Sequence, residues 1–231
     1  MGARRVTDGV TIVPMGGVNA YLLDGAEGLT LVDAGLPGKA ARIETALRAA
    51  GRHPGDVANI LITHYHADHI GGLAEISRRT GAAVHVHPLD AGIVRSGTRQ
   101  PAVRPRSLLG RLVMSMFRSR GTEPATVDRE LAAGEDLPIA GGMAAVHSPG
   151  HTPGHTSFLW SSGGVLFAGD AAGNVFGRLG PAMVAEDPAE ADRSFALLAG
   201  LEFDVAVFGH GRPIVGSAAR RFRRAAGRLS P

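Results

Sequence analysis

Several short apolar runs in this chain end by delivering a carboxylate or an imidazole just past their last residue. Leu29-Thr-Leu-Val32 is followed by Asp33, and Asn59-Ile-Leu-Ile62 leads through Thr63 to His64, His66, Asp68 and His69. Met143–Val146 leads through His147-Ser-Pro-Gly to His151. Val165–Ala168 leads through Gly169 to Asp170, and Val205–Phe208 leads through Gly209 to His210. Short runs of this composition, bounded by Gly and Pro, read as buried strands. Strands followed by tight loops hold side chains to the tolerance that a functional constellation needs. One such ending would mean little; the repetition predicts strand ends gathered at one edge of the fold, with polar groups collected there.

The spacing inside His64-Tyr-His-Ala-Asp-His69 sharpens the prediction. In an extended segment, residues two apart project to the same side, so His64 and His66 can bind one cation together while Tyr65 points away. Asp68 and His69 lie where the chain turns into the next helix and address a neighbouring position. One loop can thus serve two ions. The chain has ten histidines and no cysteine, which excludes disulfides, thiol nucleophiles and thiolate metal sites. Imidazole and carboxylate ligands suit zinc, manganese or iron.

The rest of the sequence supplies a scaffold. Strands are expected at Val10–Val13, Tyr21–Leu23, Leu29–Val32, Asn59–Ile62, Val84–His87, Met143–Val146, Thr156–Trp160, Val165–Ala168 and Val205–Phe208. Helices are expected near 38–50, 70–80, 188–200 and 216–228, the second closed by Gly81. An amphipathic stretch at 106–118 makes 95–125 a basic helical insertion. No linker divides the chain, so the 231 residues are expected to form a single α/β domain.

His64-x-His66-x-Asp68-His69, Pro149-Gly-His151, Gly169-Asp170 and Gly209-His210-Gly211, preceded by Val32-Asp33-Ala-Gly35, together resemble the metallo-β-lactamase superfamily in order and spacing. The resemblance implies a four-layer αββα sandwich with its metals at one edge between the sheets. It implies a first ion on His64, His66 and His151, a second on Asp68, His69 and His210, and Asp170 bridging them. Asp33 would orient ligands from behind. The implied chemistry is hydrolysis by a hydroxide held between two divalent ions roughly 3.5–4 Å apart, zinc first, with manganese or iron as alternatives. Asp68 would orient that nucleophile and shuttle its proton.

Departures narrow the substrate. True β-lactamases of the superfamily generally lack an aspartate at the place of Asp170, which turns the expectation toward glyoxalase II-like thioesterases and lactonases. Only about twenty residues follow His210, against the C-terminal helical domain of glyoxalase II, and residues 171–204 lack the tyrosine that quorum-sensing lactonases carry. The expected activity is cleavage of an ester, thioester or lactone of a small molecule. A mononuclear iron persulfide dioxygenase is the alternative, with a phosphodiesterase or nuclease behind it. Net charge is +3, concentrated in acid-free arginine clusters at 95–120 and 220–228, and only 5% of residues are aromatic, so nucleic acid is not the expected partner. Residues 95–120 are read as a lid over the metals or, at equal weight, as passive surface or a homodimer contact. No apolar run reaches the roughly 18 residues of a membrane span, and the start has no secretory pattern, so a cytoplasmic location is expected.

Overall fold

A computed structural model describes residues 2–101, 104–105 and 121–229. Its first sheet comprises β1 (Arg4–Thr7), β2 (Val10–Pro14), β3 (Asn19–Gly25), β4 (Gly28–Val32), β5 (Val57–Leu61), β6 (Ala83–Val86) and, beyond the two-residue β7 (Arg104–Pro105), β8 (Arg129–Glu130). The order is β1-β2-β3-β4-β5-β6-β8, antiparallel as far as β4 and parallel from there on. The second sheet is built from β9 (Asp136–Leu137), β10 (Met143–His147), β11 (Thr156–Trp160), β12 (Val165–Phe167), β16 (Val205–Val207) and β17 (Ile214–Val215), in the order β17-β16-β12-β11-β10-β9. Between β12 and β16 the chain forms a hairpin, β13 (Ala172–Val175) and β14 (Arg178–Pro181), then β15 (Val184–Ala185), which pairs with β7.

Two-residue periodicity explains the layering, because successive side chains in a strand bury on opposite faces. In β3, Tyr21 and Leu23 join the cluster between the sheets, while Ala20 and Leu22 face outward. In β12, Val165 and Phe167 point inward and Leu166 outward; in β16, Val205 and Val207 point inward and Ala206 outward. Strands that are apolar on both faces need a cover on each side. Helices Ala40–Ala49, Leu73–Thr80 and Pro88–Ser96 cover the first sheet through Ile43, Leu47, Leu73, Ile76 and Val94. Helices Pro188–Ala199 and Ala218–Ala226 cover the second, with Phe222 stacked on Phe195 at 5.1 Å. The result is the expected αββα order. Phe222 is fully buried, and truncating such a side chain to Ala costs about 3–5 kcal/mol.

Several expectations shift in detail. The helix expected at 70–80 is two pieces, Ala67–Ile70 and Leu73–Thr80, interrupted at Gly71-Gly72, whose bare backbone admits Pro37 and the Ala34 carbonyl. The strand expected at Val84–His87 ends at Val86, because His87 caps the next helix by accepting from Leu89 N at 3.3 Å. That helix runs through Arg95 and Ser96, and the amphipathic stretch at 106–118, with Met114, Met116 and Phe117, lies outside the described residues. Among the described residues no helix is long and apolar enough to cross a membrane.

Cross-sheet contacts fix the edge where the strand ends meet. Asn19 Nδ2 donates to the Phe208 and Gly211 carbonyls, both at 3.1 Å, and Tyr21 OH donates to the Phe208 carbonyl at 2.7 Å. Thr156 N donates to the Thr63 carbonyl at 2.8 Å. Each bond joins a strand of one sheet to a polar loop of the other.

Candidate metal centre

The fold brings all seven candidate ligands together, and Asp33 lies directly behind them. His64, His66 and His151 meet nitrogen to nitrogen: His64 Nε2 is 3.0 Å from His66 Nδ1, His66 Nδ1 is 2.8 Å from His151 Nε2, and His151 Nε2 is 3.1 Å from His64 Nε2. Partners on the far side of two rings decide where their protons are. His151 Nδ1 lies 2.8 Å from the Val184 carbonyl, which can only accept, so Nδ1 carries the proton and Nε2 the lone pair. Thr63 Oγ1 donates to Asp33 at 2.9 Å and therefore accepts from His64 Nδ1 at 3.0 Å. His64 Nε2 is thus a lone pair too. Lone pairs converging at these separations repel unless something positive lies among them. A tetrahedral zinc bound at about 2.0–2.1 Å would set such nitrogens about 3.3 Å apart.

The second group is richer in charge. His210 Nε2 lies 3.1 Å from Asp68 Oδ2 and 3.3 Å from Asp170 Oδ2; its Nδ1 donates to the Gly17 carbonyl at 2.8 Å. His69 Nδ1 donates to Asp33 Oδ2 at 2.7 Å, so when the ring is neutral Nε2 is the lone pair, 3.5 Å from Asp170 Oδ1 and 3.9 Å from Asp68 Oδ2. His69 Nε2 and Asp170 Oδ1 are both buried without a hydrogen-bond partner. Buried polar atoms are rarely left so, and a cation shared between them would satisfy both. Asp170 Oδ2 also reaches His151 Nε2 at 3.5 Å, so this carboxylate touches both groups. Gly209 makes room for it: a Cβ there would sit 2.1 Å from Asp170 Oδ1 and 2.5 Å from the His69 ring. Three sets, His64/His66/His151, His64/His69/Asp170 and Asp68/His69/His210, could each hold a metal ion, and their donor chemistry fits a divalent one.

Electrostatics divide the two groups. Burial and neighbouring imidazoles hold His64 well below its ordinary value; burial and His151 bring His66 down to about 3; burial, against the pull of Asp170, lowers His151. The first group is therefore neutral. Burial also opposes charge on His69 and His210, but Asp170 leads the carboxylates that overcome it, raising His69 to about 9 and His210 well above its usual range. Burial pushes Asp68 and Asp170 up, yet the adjacent imidazoles prevail and both carboxylates stay ionised far into acid.

Thr63 and Asp90 escaped the sequence reading, whereas His155, beside His151, was open to either a supporting or a purely structural role. Thr63 relays Asp33 to His64 as described. Asp90, fully buried, accepts from Thr152 Oγ1 at 2.8 Å, Gly154 N at 2.7 Å and Tyr65 N at 3.2 Å, tying the His64 and His151 loops together. His155 Nε2 accepts from Asp170 N at 2.9 Å and Ala171 N at 3.2 Å, fixing the backbone of the shared carboxylate. Tyr65 points away from the cluster as expected, and its hydroxyl donates to Glu186. His85 bonds Asn59, and His87 stacks on His147 at 4.2 Å, outside the cluster. Arg212 and the terminal arginines Arg220, Arg221, Arg224 and Arg228 lie exposed.

Comparison with known proteins agrees with this geometry. Residues 13–210 match the family model described as the metallo-beta-lactamase superfamily. The chain is 30% identical over 201 residues to the probable metallo-hydrolase YflN of Bacillus subtilis, covering 80% of this chain and 76% of that one. It is 29% identical over 132 residues to the hydroxyacylglutathione hydrolase of Nitrobacter winogradskyi, covering 57% of this chain and 40% of the enzyme. Among solved structures, a Cronobacter sakazakii metallo-β-lactamase with a HARLDQ motif superposes with a TM-score of 0.73 at 25% identity, covering 91% of this chain and 81% of its own.

Proposed function

The chain belongs to the metallo-beta-lactamase superfamily, and we propose that it is a dinuclear metallohydrolase cleaving an ester, thioester or lactone of a small molecule. The observation that carries this reading is the position of Asp170, whose two oxygens lie within 3.5 Å of His151, His69 and His210. A carboxylate so placed is the natural bridge between two ions, one on His64, His66 and His151 and one on Asp68, His69 and His210. Two divalent ions, zinc in the first instance, would supply a water ionised near neutral pH and positive charge for the oxyanion that forms on the attacked carbonyl.

The protein's own residues do the rest. Asp33 and the Val184 carbonyl hold His69 and His151 in the tautomers that turn Nε2 inward, and Thr63 does so for His64. Asp68 keeps a third of its side chain open to solvent and lies against His210. It can orient an attacking water, take its proton and pass it outward or to the leaving group. The hydroxyacylglutathione hydrolase match favours a thioester among the candidate bonds.

The test is a panel of lactones, acyl thioesters, aryl esters and phosphodiesters assayed with zinc-, manganese- and iron-loaded protein, alongside metal analysis. Two ions per chain and turnover of a carboxylic substrate are expected. Asp68→Ala should bind less of the second ion and lose about 10²–10⁴-fold in kcat. One iron per chain with oxygen consumption on a persulfide would replace this reading with the dioxygenase, and full activity in Asp68→Ala would remove Asp68 from the mechanism.

A further inference from the structure

A cleft of about 430 Å³ opens over the centre, and its two sides differ in character. His151, Asp170 and His210 form its floor, while Val175, Phe176, Leu179, Pro181 and Met183 form an apolar wall. That wall is the β13–β14 hairpin and the segment after it. Phe176 is 100% exposed and Met183 50% exposed.

Phe176 sits where a folding chain would least favour it. Val175 pairs with Arg178, so Phe176 and Gly177 form a two-residue turn, with φ of +52° and +77°. Two positive φ values mark the turn type that selects Asn-Gly or Asp-Gly. An aromatic residue here carries left-handed strain that Asn avoids, and it leaves a large apolar ring, on the order of 150–250 Å², in water. Neither helps the fold.

The hairpin is nonetheless held firmly at its base. Asn174 Nδ2 donates to the Arg212 carbonyl at 2.8 Å, and Arg212 N donates to the Asn174 carbonyl at 3.1 Å, two residues from His210. Gly211, at φ +97°, permits this approach, since a Cβ there would lie 2.2 Å from the Asn174 oxygen. The ring is therefore carried on a braced support beside the reaction floor.

We propose that Phe176, with Leu179 and Met183, is the acyl-binding subsite, and that the substrate bears an extended apolar acyl group on the carbonyl that is cleaved. The proposal rests on the hydrolase reading above for its substrate, but not for its binding test. Apolar walls with a few convergent polar groups are how small-molecule clefts bind and orient their ligands, and here the polar groups are those of the centre itself. The acyl chain would shield the Phe176 ring while its carbonyl faces Asp170 and His210.

The experiment uses a series of aryl esters and acyl thioesters from acetyl to decanoyl, with Phe176→Asn as the variant. Asn suits the turn, so folding is not at risk. In the parent, kcat/KM should rise about three- to fourfold per added methylene, the transfer free energy of one CH2. In Phe176→Asn the loss should grow with chain length and fall mainly on KM. Leu197→Asn, an exposed leucine on helix Pro188–Ala199, should leave the dependence on chain length unchanged. Calorimetric titration with decanoate gives a second readout, and the variant should bind at least tenfold more weakly. A flat series in the parent, an equal loss at every chain length, or undiminished decanoate binding would overturn the proposal while leaving the hydrolase intact. Decanoate binding that depends on Phe176 without turnover of any ester would do the reverse. A change of oligomeric state in Phe176→Asn with an unaltered series would reassign the ring to contact with a second copy, and would also overturn it.

Discussion

The two halves of the centre solve different electrostatic problems. His64 and His151 are buried and His66 half-buried, and the neighbours of all three are mostly other imidazoles, so all three stay neutral and present lone pairs. Asp68 and His210, which partly face solvent, and the buried His69 share their space with Asp170, and there the carboxylates dominate. A dication entering the first half meets three neutral rings and only Asp170 as an anion, so affinity depends mainly on how rigidly the rings are aimed. In the second half it meets negative charge and must displace protons. Rigidity governs one side and charge the other, and Asp170 belongs to both.

The largest effect that probes this division is therefore expected at Asp170. Asp170→Ala should weaken both ions together, by more than the roughly 10–100-fold expected of a group that only supports a ligand, and should abolish turnover. Chelator competition followed by mass spectrometric metal analysis measures it. Two ions retained at parental affinity would mean the halves are independent and the bridging role is wrong.

A smaller and more selective effect separates the halves. Asp33 accepts from His69 directly and reaches His64 only through the Thr63 hydroxyl. Thr63→Val keeps the shape and removes only the relay. It should lower affinity for the first ion by about 10–100-fold with little change at the second, while Asp33→Ala should weaken both. Equal effects of the two substitutions on the two ions would show that Thr63 acts merely by packing.

Much of this was legible in the chain because the informative signals are local. A four-residue strand followed by His-x-His or Gly-Asp states both what holds a ligand and where it points, and the two-residue period places the strand between two cores. The supports were not legible. Asp90 meets Thr152 and Gly154 across more than sixty residues, and Tyr65 meets Glu186 across 121, so neither pair leaves a pattern that neighbours in sequence could reveal. The β13–β14 hairpin also escaped: Ala172-Gly-Asn-Val175 and Arg178-Leu-Gly-Pro181 are poor in β-formers, and Phe176-Gly177 lacks the Asn or Asp of a hairpin turn. Helix Pro88–Ser96 was hidden by Pro88, which reads as the end of a strand and serves as the first residue of a helix.

The mildest test uses the proton in place of the metal, in chelated protein. His66, brought down to about 3, and His64 and His151, also lowered, take up protons more readily in the unfolded chain. Their contribution is present above the ordinary histidine value of about 6.5 and is lost as pH falls below it. His69, raised to about 9, and His210, also raised, bind protons more tightly when folded. Their contribution is complete below about 6.5 and is lost as pH rises toward 9. The two halves thus tilt stability in opposite directions, and the metal-free protein should be most stable near pH 6.5. Its Tm should fall by about 5–10 °C on approaching pH 9, at about 2–4 °C per kcal/mol for a chain of this size. With metal bound, the ion takes the place of the protons on His69 and His210, so the alkaline fall should vanish while the acid fall remains. Thermal scans across pH, with and without chelator, read both limbs; a metal-free profile level from pH 6.5 to 9 would mean that the carboxylates do not hold those protons and that the division between the halves is one of exposure alone.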